Sequence, residues 1–230
     1  MDSVSGVGVV DKSVAILDAL ATDGPLTLGE LVEATGISRP TAHRLAVALG
    51  AHGLVGRDDD GCFRLGLRLL AWGTRAAAPA ELVEAAGPVL ARLRDETDES
   101  AQLYVRDGDR RVCVAVAERP SGLRDTVPVG ASLPLTAGSG GSVLLAWSGA
   151  ADRTDRLDAV RSRGWAESVA EREAGVASVS APVRDRGGSV VAAISVSGPI
   201  ERLGKRPGRR LAEPVVAAAR ALERAAGLPG

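Results

Sequence analysis

Three groups of residues carry side chains that can do chemistry. The first is Arg39, His43 and Arg44, followed by Arg57 and Arg64, and the stretch from Ala34 to Arg57 holds no acidic residue. Cations and hydrogen-bond donors gathered this way suit phosphates and base edges, although a solvated helix face looks the same. The second is a set of hydroxyls spaced by two in apolar surroundings, Ser178 with Ser180 and Ser195 with Ser197. The third is the run Thr136-Ala137-Gly138-Ser139-Gly140-Gly141-Ser142 ahead of the apolar Val143-Leu144-Leu145-Ala146-Trp147. A glycine-rich loop opening a helix offers amide donors and a positive dipole end to a carboxylate or phosphate, or it serves only as a turn.

What is missing narrows the field. Both histidines, His43 and His52, precede Gly53, so the rest of the chain lacks the base of a Ser-His or Cys-His pair. Neither SxxK nor GxSxG occurs. Cys62 and Cys113 are single and far apart, which excludes a disulfide framework and a CxxC metal site. Glu171 and Glu173 sit in a polar segment with no evident partner. The sequence therefore predicts no enzyme, no catalytic residue, no metal and no cofactor.

A chain of 230 residues has room for two domains, and 45% hydrophobic with 25% charged residues is the balance of a soluble globular protein. No stretch approaches the roughly 18 apolar residues of a membrane span. Met1-Asp2-Ser3 shows neither the basic nor the apolar part of a secretory signal, so a cytoplasmic location is expected. The net charge is −1, and the first 76 residues carry seven basic and nine acidic side chains. Binding to nucleic acid must then come from a local basic face, which screening over about 8–10 Å permits.

The elements that position these groups follow from periodicity. Asp11 to Thr22 reads as a helix with Val14, Leu17, Leu20 and Ala21 inward, broken by Gly24-Pro25. Thr27-Leu28-Gly29-Glu30 is a capping box opening a short helix that Gly36 ends. Ser38 caps a third helix with Pro40 in its first turn and Ala42, Leu45, Ala46 and Leu49 buried. Two helices joined by a short glycine turn form a helix-turn-helix, and His43 points about 160° away from Leu45, outward with Arg39 and Arg44. Strands on either side of Asp58-Asp59-Asp60-Gly61 form a hairpin, a wing whose acidic tip stays off DNA while Arg57 and Arg64 reach phosphates.

Leu65 to Ala78 reads as a helix ending near Pro79, and Glu81 to Glu96 as another that Pro88 kinks. A hairpin turns at Asp107-Gly108-Asp109. Further strands are expected at Arg124–Val127, Gly175–Val183 and Val190–Ser197, and helices near Gly140–Trp147, Asp152–Gly164 and Leu211–Ala225. Hydroxyls two apart share one side of a strand, so the serine pairs either line a polar pocket or face solvent.

The segments Asp11-Lys12-Ser13-Val14, Leu28-Gly29-Glu30-Leu31, Gly36-Ile37-Ser38-Arg39-Pro40-Thr41-Ala42-His43-Arg44-Leu45 and Phe63-Arg64-Leu65-Gly66 resemble the DNA-binding domain of the IclR family of transcription regulators. The likeness runs over nearly the whole chain. Arg39 to Leu45 and Ser121 to Gly130 look most similar to the actinobacterial NdgR-type subgroup, associated with amino-acid biosynthesis genes. The implied fold is α+β: a winged helix-turn-helix over residues 1–66, a linker helix over 67–79, and a GAF-like α/β effector-binding and oligomerisation domain over 80–230.

The resemblance implies DNA contacts by Thr27, Ser38, Arg39, Thr41, His43, Arg44, Arg57 and Arg64. It implies an effector pocket at Leu133, Ala137, Gly138, Ser139, Ser168, Ser178, Ser195 and Ser197. Partners would be a double-stranded operator, a small-molecule effector and a second or further copies in a homodimer or homotetramer. Family members that sense small keto acids carry an Asp and a Cys where this chain has Ser168 and Ser178. A glyoxylate- or pyruvate-type effector is therefore not carried over; a larger or differently charged ligand is the expectation, an amino acid or a carboxylate metabolite. The alternative is a ligand-independent regulator whose C-terminal domain serves only oligomerisation.

Overall fold

The computed structural model describes residues 5–76, 80–149 and 154–228. The chain divides into two compact units, Met1–Ala76 and Ala77–Gly230. The first contains α1 (Gly8–Asp23), α2 (Leu28–Thr35), α3 (Arg39–Ala51), β1 (Val55–Arg57), β2 (Phe63–Leu65) and α4 (Arg68–Ala76). The capping box that opens α2 is complete: the Glu30 amide donates to the Thr27 hydroxyl, and the Thr27 amide donates to the Glu30 carboxylate at 2.8 Å. Gly36 ends α2 in the left-handed conformation, φ 66°, where a side chain would be strained. In α3 the inward stripe is Ala42, Leu45, Ala46 and Leu49, packed with Ile16, Leu20, Leu31 and Phe63 into one core.

Two readings of this unit need correction. In α1 the buried residues are Ile16 and Leu20, while Val14 is 48% exposed; the stripe runs from Ile16 at i, i+4, not from Val14. Ser38 occupies the N-cap position of α3 without a capping hydrogen bond; its hydroxyl instead donates to the Thr41 hydroxyl at 3.0 Å. The wing also gains a third member: Leu26 and Phe63 exchange amide hydrogen bonds of 2.9 and 2.7 Å, tying the hairpin to the segment before α2. The expected end of the linker helix at Pro79 lies outside the described residues, as do Met1-Asp2-Ser3 and Asp152.

The second unit comprises α5 (Ala80–Thr97), β3 (Ser100–Asp107), β4 (Arg110–Ala117), β5 (Ser132–Pro134), α6 (Ser139–Ala146), α7 (Asp155–Arg163), β6 (Ala166–Val169), β7 (Val176–Arg184), β8 (Val190–Pro199), α8 (Ile200–Leu203) and α9 (Gly208–Ala225). Its six strands form one antiparallel sheet in the order β5-β4-β3-β8-β7-β6. The sheet's two faces differ in chemistry. Ala177, Val179 and Ala181 of β7 alternate with Ser178 and Ser180, and Ile194 and Val196 of β8 with Ser195 and Ser197. The apolar set packs with Leu82, Leu90 and Leu93 of α5 and with Leu211, Val215 and Leu222 of α9. The hydroxyl set faces the other way, toward the side covered by α6. Pro88 lies inside α5. The segment from Arg124 to Val127, read as a strand, is a loop, and the short strands β5 and β6 were not anticipated.

Candidate nucleic-acid interface and ligand cavity

On α3 the residues between the buried positions are outward. Ser38, Arg39, His43 and Arg44 are exposed and Thr41 is half-buried. Among the described residues, no ion pair or hydrogen bond engages Arg39, His43 or Arg44, so their donors are uncommitted. Arg57 ends β1 with its guanidinium 4.4 Å from the centre of the Phe63 ring, and Arg64 is exposed in the middle of β2 opposite Gly56. The hairpin tip is folded on itself: the Asp58 carboxylate accepts from the amides of Asp60 and Cys62 at 3.1 and 2.8 Å. Thr27 is exposed, with its hydroxyl already shared with Glu30 at 2.8 Å. The arrangement is a recognition-type helix followed by a wing, with the basic side chains on the outer surface of both.

In the second unit the sheet register gathers the serines. Ser168 stands opposite Ser178, Ser178 opposite Ser197, and Ser180 opposite Ser195. Ser139, first residue of α6, lies over them. Its Oγ is 2.6 Å from that of Ser178 and 2.7 Å from that of Ser180; Ser180 donates to Ser195 at 2.9 Å, and Ser168 and Ser178 are 3.3 Å apart. Each hydroxyl has one proton. Because Ser180 gives its proton to Ser195, Ser139 must donate to Ser180, Ser178 to Ser139 and Ser168 to Ser178. The chain of donors therefore ends at Ser195, whose own proton is left to give.

These hydroxyls line a cavity of about 20 Å³, room for roughly one water. Gly138, Ser139, Ser168, Ser178, Ser195 and Ser197 all reach it. Leu133 and Ala137 instead flank a residue the sequence reading missed. Arg111 of β4 pairs in register with Leu133, and its Nη1 donates to the carbonyls of Pro134 and, at 2.7 Å, Ala137. Arg111 is 2% exposed and lies 5.2 Å from the Tyr104 ring centre. Burial draws its pKa below the ordinary arginine value. Gly138 and Gly141 leave room for this side chain and for the Leu135 carbonyl. A Cβ on Gly141 would stand 2.9 Å from Arg111 Nη1 and 2.1 Å from the Leu135 carbonyl oxygen, and one on Gly138 would stand 3.1 Å from Nη2.

The lining also includes Gly140 of the glycine-rich loop, and Tyr104, Asp125, Arg172 and Val176, which the sequence reading did not assign to a pocket. Arg172 donates to Asp125 at 2.5 Å. Glu171 accepts from the Gly138 amide at 3.1 Å and from Arg156 at 2.6 Å. One of the amide donors at the start of α6, that of Gly138, is thus already used by the protein's own carboxylate. A signal for Arg111 did exist: it is in phase with buried Cys113 along β4, so alternation turns both inward.

The sequence profile of the IclR helix-turn-helix domain matches residues 9–59, and that of the bacterial transcriptional regulator IclR C-terminal domain matches 74–155 and 152–224. The chain belongs to the IclR family. It is a DNA-binding transcriptional regulator with the family's fold, an N-terminal helix-turn-helix domain and a C-terminal α/β domain; the family consists of regulators, not enzymes. It is 30% identical to the HTH-type transcriptional regulator BhcR of Paracoccus denitrificans over 94% of this chain and 86% of that one. It is 32% identical to the glycerol operon regulatory protein of Streptomyces griseus over 84% and 85%. An IclR homolog from Microbacterium hydrocarbonoxydans, solved in complex with 4-hydroxybenzoate, superposes with a TM-score of 0.75 over 95% of this chain and 99% of that one. At 22% identity that likeness concerns the fold alone. Among the described residues no helix is long and apolar enough to cross a membrane.

Proposed function

We propose that this IclR-family regulator acts in the cytoplasm as a homodimer or homotetramer on a double-stranded operator, through Thr27, Ser38, Arg39, Thr41, His43 and Arg44 of the helix-turn-helix and Arg57 and Arg64 of the wing. Residues 1–66 form the DNA-binding domain, 67–79 the linker helix, and 80–230 the effector-binding and oligomerisation domain. The observation that carries the reading is the outer face of α3, where three basic side chains have no partner among the described residues and no acid interrupts the stretch from Ala34 to Arg57. Buried residues pack the opposite side of the helix and so set the backbone positions from which these donors project.

The target genes are those of amino-acid biosynthesis or related metabolism, as in the NdgR-type regulators that Arg39–Leu45 and Ser121–Gly130 resemble. A small molecule occupying the serine-lined cavity changes operator affinity, with a coupling of about 1–3 kcal/mol. A ligand in the fold-related 4-hydroxybenzoate complex supports a binding role for the C-terminal domain. The cavity's small volume favours one alternative, a ligand-independent regulator whose C-terminal domain only oligomerises. Operator titrations with leucine, methionine and simple keto acids separate the two. Ser195→Ala is expected to weaken the response to whichever compound acts and to leave operator affinity unchanged. An unchanged response in that variant removes Ser195 from the site.

A further inference from the structure

Val47 has no role in the packing of α3. It is 51% exposed and lies outside the hydrophobic core of its unit, whereas Ala42, Leu45, Ala46 and Leu49 of the same helix are buried. Neither solvent nor the helix favours a valine there. Water solvates its two methyls poorly, and a β-branched side chain is a weaker helix former than the alanines on either side, Ala46 and Ala48. At 100° per residue, Val47 and Arg44 each stand about 150° from the centre of the buried stripe, one on either side of the outermost line. Val47 therefore sits in the middle of the outward face, one turn beyond His43 and Arg44, whose donors have no partner among the described residues.

We infer that Val47 packs against the 5-methyl group of a thymine in the major groove and specifies that base in the operator. The inference rests on α3 being the helix that enters the groove. From Arg39 to Val47 the axial rise is about 12 Å, so this face spans about three to four base pairs of a groove it follows. Thymine presents an apolar group there, and a side chain without donors or acceptors is suited to contact it. His43 and Arg44 supply hydrogen bonds and charge to neighbouring bases or phosphates, while Val47 separates thymine from cytosine. The next turn of the same face carries Gly50 and Ala51, both too small to hold a base pair away from Val47. With Arg44 and His43 on the preceding turn, the face has no contiguous apolar patch of the kind a protein partner needs.

The test is fluorescence anisotropy of the full chain on the intergenic fragment upstream of its own gene, made once with thymine and once with uracil, which lacks only the methyl. Coding-region DNA of equal length is the reference for specific binding. The wild-type chain is expected to bind the uracil fragment at least about threefold more weakly, as the loss of one buried methyl would give. Val47→Ala is expected to bind the thymine fragment more weakly by a similar factor and to lose most of the discrimination against uracil. Its salt slope stays that of the wild type, because no phosphate contact is removed. Alanine takes away no buried contact and is the better helix former, so the variant folds. A Val47→Ala variant with wild-type affinity, or one that keeps the whole uracil penalty, overturns the assignment while leaving specific DNA binding in place. A wild-type chain that binds both specific fragments equally does the same. Equal wild-type affinity for the upstream and coding-region fragments overturns the assignment and the reading of α3 with it.

Discussion

Replacing Arg202 with Met tests how the loop beside the cavity is held. Glu99 is fully buried at the start of the sheet, and its two carboxylate oxygens accept from Arg202 Nε and Nη2, both at 2.7 Å. Gly198 leaves the space for that carboxylate; a Cβ there would stand 2.2 Å from Glu99 Oε2. The same Nη2 donates to the Leu123 carbonyl at 2.7 Å, which ties down the loop carrying Asp125. Removing one partner of a buried ion pair costs about 3–5 kcal/mol. The Arg202 side chain is 31% exposed, so water screens part of the loss and about 2–3 kcal/mol is expected for Arg202→Met. Glu99→Gln in the same chain takes away the stranded charge and should restore part of that stability. The assay is urea unfolding followed by tryptophan fluorescence in a Trp72→Phe background, where Trp147 and Trp165 of the second unit report. A loss under about 0.5 kcal/mol, or a double variant no more stable than Arg202→Met, refutes the reasoning.

Arg44→Ala is expected to weaken operator binding and to lower the salt slope by about one per half-site, as removal of one phosphate contact does; fluorescence anisotropy across a salt series reads both. Cys113 gives a pH dependence. Burial pushes its thiol up to about 12, while the unfolded chain ionises near the ordinary thiol value. Its contribution is therefore fully present below about pH 9 and is lost as pH rises toward 12, by at most about 1.4 kcal/mol per pH unit. Urea midpoints should fall between pH 9 and 10, and Cys113→Ala should flatten that fall. A wild-type midpoint that holds steady over this range counts against the buried thiol.

How much of this was legible in the sequence depended on whether one force governed the residue. The α3 stripe was readable because Ala42, Leu45, Ala46 and Leu49 answer to a single helical period. The capping box was readable because Thr27 and Glu30 satisfy each other locally. In α1 two apolar sets compete, and tertiary packing chose Ile16 while leaving Val14 exposed. Thr126 and Val127 look strand-like, yet their segment is held as a loop by Arg202 at Leu123 and by Arg172 at Asp125. Strands β5 and β6, with three and four residues, are too short for alternation to register. In the cavity the serines were visible from their spacing. Arg111 was overlooked because a charge in a strand is first read as solvent-facing, although its phase with buried Cys113 turns it inward, beneath α6.

The most direct test of the central claim is a gel shift of the full chain on the intergenic DNA upstream of its own gene, against coding-region DNA of equal length at the same salt. Specific retention of the upstream fragment, lost with Arg44→Ala, is the predicted result. Equal retention of both fragments at every salt concentration, or no retention of either, contradicts it.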